Sequence, residues 1–238
     1  MPSSGFLLID KPANWTSFDV VAKLRGITGE KTIGHAGTLD PFATGLLIVA
    51  VGREATKRLD TFLKQDKTYR ATFVLGATST TQDPEGEITA VTGNVPSREM
   101  IERTIAEHFM GTINQIPPMH SAIKIGGKKL YELARQGKEV DRPARSVTIH
   151  RFDIINYHPP TIEVEINVSS GTYIRAIARD LGQTLGCGAY CSALRRTRIG
   201  QYSIEDAVIL DALMSSSTSI ERRMIKTTTM TSKRQSQF

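Results

Sequence analysis

Gly34-His-Ala-Gly-Thr-Leu-Asp-Pro-Phe-Ala-Thr-Gly-Leu-Leu-Ile-Val-Ala-Val51 changes character at Asp40-Pro41. Residues 34–41 show no apolar period and carry two glycines, which predicts a loop. Residues 45–51 are an unbroken apolar and β-branched run, which predicts a central strand. Upstream, Gly5-Phe-Leu-Leu-Ile-Asp10 predicts a short buried strand that enters the turn Lys11-Pro-Ala-Asn14. Thr16 or Ser17 then caps a helix with Val20, Val21 and Leu24 on one face.

Downstream, the pattern predicts a helix over residues 54–63 and an alternating strand over 68–75. Residues 78–87 are expected to be a loop with Asp83-Pro-Glu-Gly86 as a turn. Ser97 caps a helix to about residue 109, and residues 147–155 and 162–168 alternate as antiparallel strands do. Residues 172–185 predict an amphipathic helix that ends at Gly186. Strands outnumber helices and often follow one another, so the fold class is α+β, with a mixed, largely antiparallel central sheet flanked by helices.

The 238 residues carry a net charge of +6, and its distribution is uneven. Residues 124–145 hold seven basic side chains (Lys124, Lys128, Lys129, Arg135, Lys138, Arg142, Arg145) against three acidic ones, an excess of four. Residues 214–238 hold five against Glu221, again an excess of four. That last stretch is rich in Ser and Thr and poor in apolar residues, so a basic disordered tail is expected there. No apolar run approaches the roughly 20 residues that span a bilayer, and the start of the chain lacks a secretory pattern. A cytoplasmic protein without a membrane partner is expected. The two cysteines, Cys187 and Cys191, have no histidine near them in sequence, so no metal site is expected.

Gly26-Ile-Thr-Gly-Glu-Lys-Thr32 has its glycines too close for a phosphate loop, and Ser121-Ala-Ile-Lys124 lacks the companion motifs of a penicillin-binding nucleophile. No His-x-Glu with Pro-Cys-x-x-Cys occurs, which excludes a zinc deaminase. The proline after Asp40 holds its backbone extended, so that carboxylate has a fixed aim. Arg175, in Ser169-Ser-Gly-Thr-Tyr-Ile-Arg175, falls at the start of a helix, where the dipole disfavours a cation. It therefore needs an offsetting partner, which a carboxylate from another loop would supply; the alternative is a surface arginine on the solvent face of the helix.

The stretch from Gly34 to Leu47 resembles the catalytic loop of the TruB family of tRNA pseudouridine synthases. Asp10-Lys-Pro with Thr16-Ser17, Lys67-Thr-Tyr-Arg70, Ile116-Pro-Pro-Met119, Gly171-Thr-Tyr-Ile-Arg175 and Leu194-Arg-Arg-Thr197 match in the family's order. The resemblance implies a pseudouridine synthase fold over residues 1–213, with residues 111–146 as an inserted thumb that grips the T-arm of tRNA. It implies that Asp40 is the essential catalytic residue, acting at C1′ as nucleophile or at C2′ as base. Arg175 would pair with Asp40, and Tyr69 would stack on the target base and help remove the C5 proton. Tyr173 and Leu194 would line the uracil pocket, His35 would stand where the base leaves its stack, and Lys11 would brace the loop. Lys124, Lys128, Lys129, Arg142 and Arg145 would bind RNA phosphates.

The implied reaction isomerises a uridine of the T-loop, position 55, by base flipping, N1–C1′ cleavage and C5–C1′ joining. It adds and oxidises nothing, so no cofactor is expected. A monomer without an obligate protein partner is expected too. A non-catalytic RNA-binding protein on the same fold, or a synthase acting on another RNA, are the competing classes. The chain departs from the family at Asn14 for the usual glycine, at Ser169 for the usual cysteine, and in residues 214–238, where many relatives have a separate RNA-binding domain.

Overall fold

The computed structural model describes residues 4–213 and 223–226. Two compact units divide the chain, Met1–Lys67 with Arg195–Phe238, and Thr68–Leu194.

The first unit opens with strand β1 (Gly5–Lys11), helix α1 (Ser17–Thr28) and strands β2 (Ile33–Ala36) and β3 (Thr44–Val51). β1 and β3 pair antiparallel along their whole length, from Gly5 opposite Val51 to Lys11 opposite Gly45. Successive side chains alternate in direction, so the apolar runs feed two cores. Leu7, Ile9, Leu47, Val49 and Val51 pack with Val20, Val21 and Leu24 of α1. Phe6, Leu8, Leu46, Ile48 and Ala50 pack with Ala55, Phe62 and Tyr202. Helix α1 starts where sequence placed it: Thr16 and Asp19 exchange side-chain and backbone hydrogen bonds in a capping box, and Gly29 ends the helix at φ +71°.

Two expectations fail here for physical reasons. Part of the expected 34–41 loop is strand β2, whose residues pair with Val51 to Ile48 of β3. The backbone hydrogen bonds of a long neighbouring strand outweigh the weak local propensity of Gly34. The single helix expected over 54–63 is instead two one-turn pieces, α2 (Arg53–Thr56) and α3 (Asp60–Leu63). The Thr56 and Thr61 hydroxyls donate to the carbonyls of Arg53 and Arg58, and the amides of Arg58 and Leu59 reach back three residues, which tightens the chain into turns. Gly34 lies against this segment, since a Cβ there would come within 2.9 Å of a Leu59 methyl.

The second unit runs through β4 (Lys67–Leu75), β5 (Ala77–Ser79), β6 (Ile88–Ala90), α4 (Arg98–His108), β7 (Gly111–Gln115), β8 (Lys124–Ile125), β9 (Lys128–Lys129), α5 (Leu130–Ala134), β10 (Arg145–His158), β11 (Thr161–Val168) and α6 (Ile174–Thr184). Strand β12 (Ala189–Ile199) begins in this unit and ends in the first. The second unit's sheet has the order β12-β4-β11-β10-β7, with the β10–β11 and β10–β7 pairs antiparallel. The expected 78–87 loop is flanked by the hairpin of β5 and β6, which leaves residues 80–87 as the connection.

The chain closes with β13 (Tyr202–Ser203), β14 (Val208–Ile209), α7 (Leu210–Leu213) and β15 (Ile225–Lys226) in the first unit. β15 pairs antiparallel with β1, and Met224 joins the apolar core around α1. The expectation of a disordered tail therefore does not hold at 224–226, where three residues with two apolar side chains find an open strand edge. The rest of 214–238 lies outside the described residues. Among the described residues no helix is long and apolar enough to cross a membrane. The fold class stands as α+β, with mostly antiparallel pairing.

Candidate active site

Asp40 is half-buried in the seven-residue connection between β2 and β3. Each side of it is tied to a different part of the first unit. Before it, buried Leu39 donates its amide to Ser17 Oγ at 2.9 Å, and that hydroxyl, the first residue of α1, lies 3.3 Å from the Leu39 carbonyl. After it, the Pro41 carbonyl accepts from the Asn14 amide at 2.8 Å and from Lys11 Nζ at 3.3 Å. The Ala43 amide donates to the Asp40 carbonyl at 3.1 Å, which closes a turn beneath the side chain. Asn14 itself has φ +63°, a left-handed conformation that asparagine tolerates, as the glycine usual at this place would.

Lys11 is fully buried, and its ammonium also donates to the Pro12 and Trp15 carbonyls at 2.9 and 2.6 Å. A desolvated lysine is costly unless its N–H groups are met. These carbonyls meet them, and by doing so they fold the 11–15 turn against the Asp40 loop. Two further buried cations stand in this unit, Arg196 and Lys67. The Arg196 guanidinium donates to the carbonyls of Leu46 and Gly37, each at 2.8 Å. Lys67 donates to the carbonyls of Gln65 and Leu63, and burial followed by the charge of Arg196 pulls its pKa from 10.5 down to about 8. His35, half-buried on β2, is held below the usual histidine range by the same two causes, burial first and then Arg196. A neutral imidazole follows at neutral pH. On the surface of the unit, Arg195 grips Asp10 with both Nη atoms, at 3.0 and 2.7 Å.

In the second unit Tyr69 lies on the buried face of β4, in line with Ala71, Phe73 and Leu75. Leu194 is buried on β12. Tyr173 is the N-cap of α6, and buried Gln115 holds its backbone on both sides, accepting from the Tyr173 amide and donating to its carbonyl at 2.9 and 3.1 Å. Arg175 sits in the first turn of α6 and is 2% exposed. The carboxylate its position demands belongs, within this unit, to Asp83, whose Oδ2 accepts from Nη1 at 2.9 Å. The Thr81 and His120 carbonyls accept from the same guanidinium, both at 2.8 Å. Asp83 is buried as well, and its Oδ1 accepts from the Glu85 amide. Asp83 is thus a buried ion-pair partner at a position where the sequence suggests only a turn. The available signal was its likeness to Asp40, since the two are the chain's Asp-Pro pairs.

The basic segment of 124–145 also lies in this unit. Lys124 and Lys128 are exposed on the β8–β9 hairpin, whose turn is Gly126 and Gly127 at φ +58° and +81°. Lys129 donates to the Tyr131 hydroxyl, and the cations of Lys129 and Arg135 both lie over the Tyr131 ring. Arg145 is exposed at the start of β10, while the Arg142 side chain is mostly buried, 3.7 Å from Glu139. So Lys11, His35 and Asp40 fall in the first unit, and Tyr69, Tyr173, Arg175, Leu194 and the basic segment fall in the second. Cys187 and Cys191 are both buried free thiols.

Residues 25–174 match the model of the N-terminal domain of TruB family pseudouridylate synthases. Residues 175–228 match that of the C-terminal domain of tRNA pseudouridylate synthase B, which runs past the boundary at 213 that composition suggested. The tRNA pseudouridine synthase B of Chlorobaculum tepidum is 48% identical over 215 residues, covering 88% of this chain and 89% of that one. That of Desulfotalea psychrophila is 46% identical over 231 residues, covering 94% and 93%. Among solved structures, a Cbf5-Nop10-Gar1 complex includes a chain similar at TM-score 0.72 and 27% identity, over 93% of this chain and 60% of that one. An archaeal box H/ACA Nop10-Cbf5 complex gives 0.68 and 28%, over 92% and 57%. This chain spans less than two thirds of those two.

Proposed function

The chain belongs to the TruB family of pseudouridylate synthases, and on that premise we propose that it isomerises the T-loop uridine at position 55 of tRNA, with Asp40 as its essential residue. The observation that carries this is the loop of Asp40, a half-exposed carboxylate whose two flanks are tied to Ser17, Asn14, Lys11 and Arg196. A carboxylate that must meet one ribose carbon needs such fixed geometry, because the gain from orientation is lost when the reacting atoms are misplaced by about 1 Å.

The reaction asks for a few distinct things. The uridine is extruded from its loop at a cost of a few kcal/mol, and stacking on an aromatic ring returns about 1–3 kcal/mol. Tyr69 is the ring in this proposal, with Tyr173 and Leu194 beside the uracil and neutral His35 at the place the base vacates. Asp40 attacks C1′ or takes the C2′ proton, and either route breaks the N1–C1′ bond. The uracil turns, C5 joins C1′, and the hydrogen on C5 leaves as a proton. Atoms and electrons balance within the RNA, so no cofactor enters. Lys124, Lys128, Lys129 and Arg145 hold the T-arm by its phosphates, whereas Arg142, expected to join them, has its side chain mostly buried beside Glu139 and does not. The enzyme works in the cytoplasm as a monomer.

The test is an isolated T-arm hairpin carrying 5-tritiated uridine, compared with whole tRNA. Release of tritium from both at similar rates, with pseudouridine mapped to the T-loop, is the expected result. A hairpin that binds and is not converted would show that contacts beyond the T-arm are required, and pseudouridine formed in whole tRNA only outside the T-loop would overturn the reading.

A further inference from the structure

Arg196 stands on β12 where the loop of Asp40 leaves the sheet. On one edge of β3, Ile33–Ala36 pairs with Val51 to Ile48, and Arg195 and Arg196 pair with Thr44 and Gly45. Leu46 and Leu47 fall in the interval between these two partners. The Arg196 side chain fills it: Nε donates to the Leu46 carbonyl and Nη2 to the Gly37 carbonyl. One planar group thus joins the residue that opens the loop to the strand that closes it.

Glycines with positive φ stand on both sides of Arg196, one against its side chain and one against its backbone. Gly37, at φ +75°, would place a Cβ 3.4 Å from Arg196 Nη1. Gly45, at φ +102°, would place one 2.3 Å from the Arg196 carbonyl oxygen. The charge is also unwelcome where it sits, because Arg196 is 1% exposed and its field lowers the pKa values of both His35 and Lys67. An apolar side chain would fill the volume without that cost. What it could not do is hold two carbonyls at once. We propose that Arg196 is a positioning residue for the reaction, fixing the span between Gly37 and Leu46 so that the Asp40 carboxylate meets the ribose in one orientation. This rests on Asp40 being the reacting carboxylate.

The experiment measures single-turnover conversion at saturating tRNA, tRNA affinity and thermal stability for Arg196→Lys, Gly37→Ala, Val49→Ala and Asp40→Asn. Lysine keeps the charge and can reach one carbonyl, so Arg196→Lys is expected to lower the rate about 10- to 100-fold, as a small misplacement does, with affinity within about threefold. Gly37→Ala perturbs the same tie from the loop side and is expected to show the same split if the lysine variant fails to fold. Val49→Ala destabilises the same strand through its fully buried side chain and is expected to keep the wild-type rate. A rate within twofold of wild type for both Arg196→Lys and Gly37→Ala, or a rate that falls equally in Val49→Ala, would overturn the proposal. Turnover by Asp40→Asn would remove the Asp40 reading and this inference with it. Loss of turnover there beside normal rates in both Arg196→Lys and Gly37→Ala would remove this inference alone.

Discussion

At the scale of single residues, the buried charges carry the most informative energetics. Arg175 and Asp83 are desolvated together, so removing one partner strands the other at a cost of about 3–5 kcal/mol. Asp83→Ala is therefore expected to lower the unfolding free energy by that order, measured by denaturant titration, and a loss below about 1 kcal/mol would contradict the pairing. Lys67 makes a prediction in pH. Its amine binds a proton less readily in the fold, at about 8, than at the ordinary 10.5. The unfolded chain thus holds more protons between those values, and the contribution of Lys67 to stability grows as pH rises across them and is lost as pH falls through about 8. Lys67→Met should gain on wild type most below pH 8 and lose that relative gain towards pH 10; a difference flat in pH would refute the lowered pKa. Arg175 was legible because it breaks a local rule, a cation at a helix start, whereas Asp40 stood out only through the family resemblance of its loop. Asp83 and Arg196 were not legible. An Asp-Pro turn and an arginine in an alternating strand satisfy every local rule, and only the packed neighbours reveal that both are buried.

At the scale of elements, long strands and capped helices followed their sequence closely, and short pieces did not. β3 needed only its apolar run and α1 only its capping box. β2 is a strand because β3 supplies a ladder, and residues 53–63 form two turns because threonine hydroxyls compete for the helix carbonyls. Neither cause is local enough to appear in a periodicity. The β8–β9 hairpin has a separate consequence. Its exposed Lys124 and Lys128 sit at a two-glycine turn, so they can follow phosphates without moving the sheet. Reversing both charges, Lys124→Glu with Lys128→Glu, should weaken all tRNAs alike and flatten the salt dependence of binding. A loss confined to particular loop sequences would mean that this hairpin contacts bases.

At the scale of the whole molecule, the last described residues return to the start of the chain within the first unit. β12 carries residues of both units, and β15 returns to pair with β1. The composition of residues 214–238 concealed this, because Met224 and Ile225 are too few to raise an apolar signal and act only by meeting an existing core. The net charge of +6 agrees with an anionic substrate, and the chemistry proposed for that substrate is redox-neutral. Activity is accordingly expected to survive exhaustive dialysis against EDTA, and loss restored by one added metal would refute that. The most direct test of the central claim is Asp40→Asn on tRNA carrying 5-tritiated uridine, with tritium release and binding measured on the same preparation. The account predicts that release is abolished while affinity stays within a few-fold of wild type. Substantial release by the folded variant would contradict it.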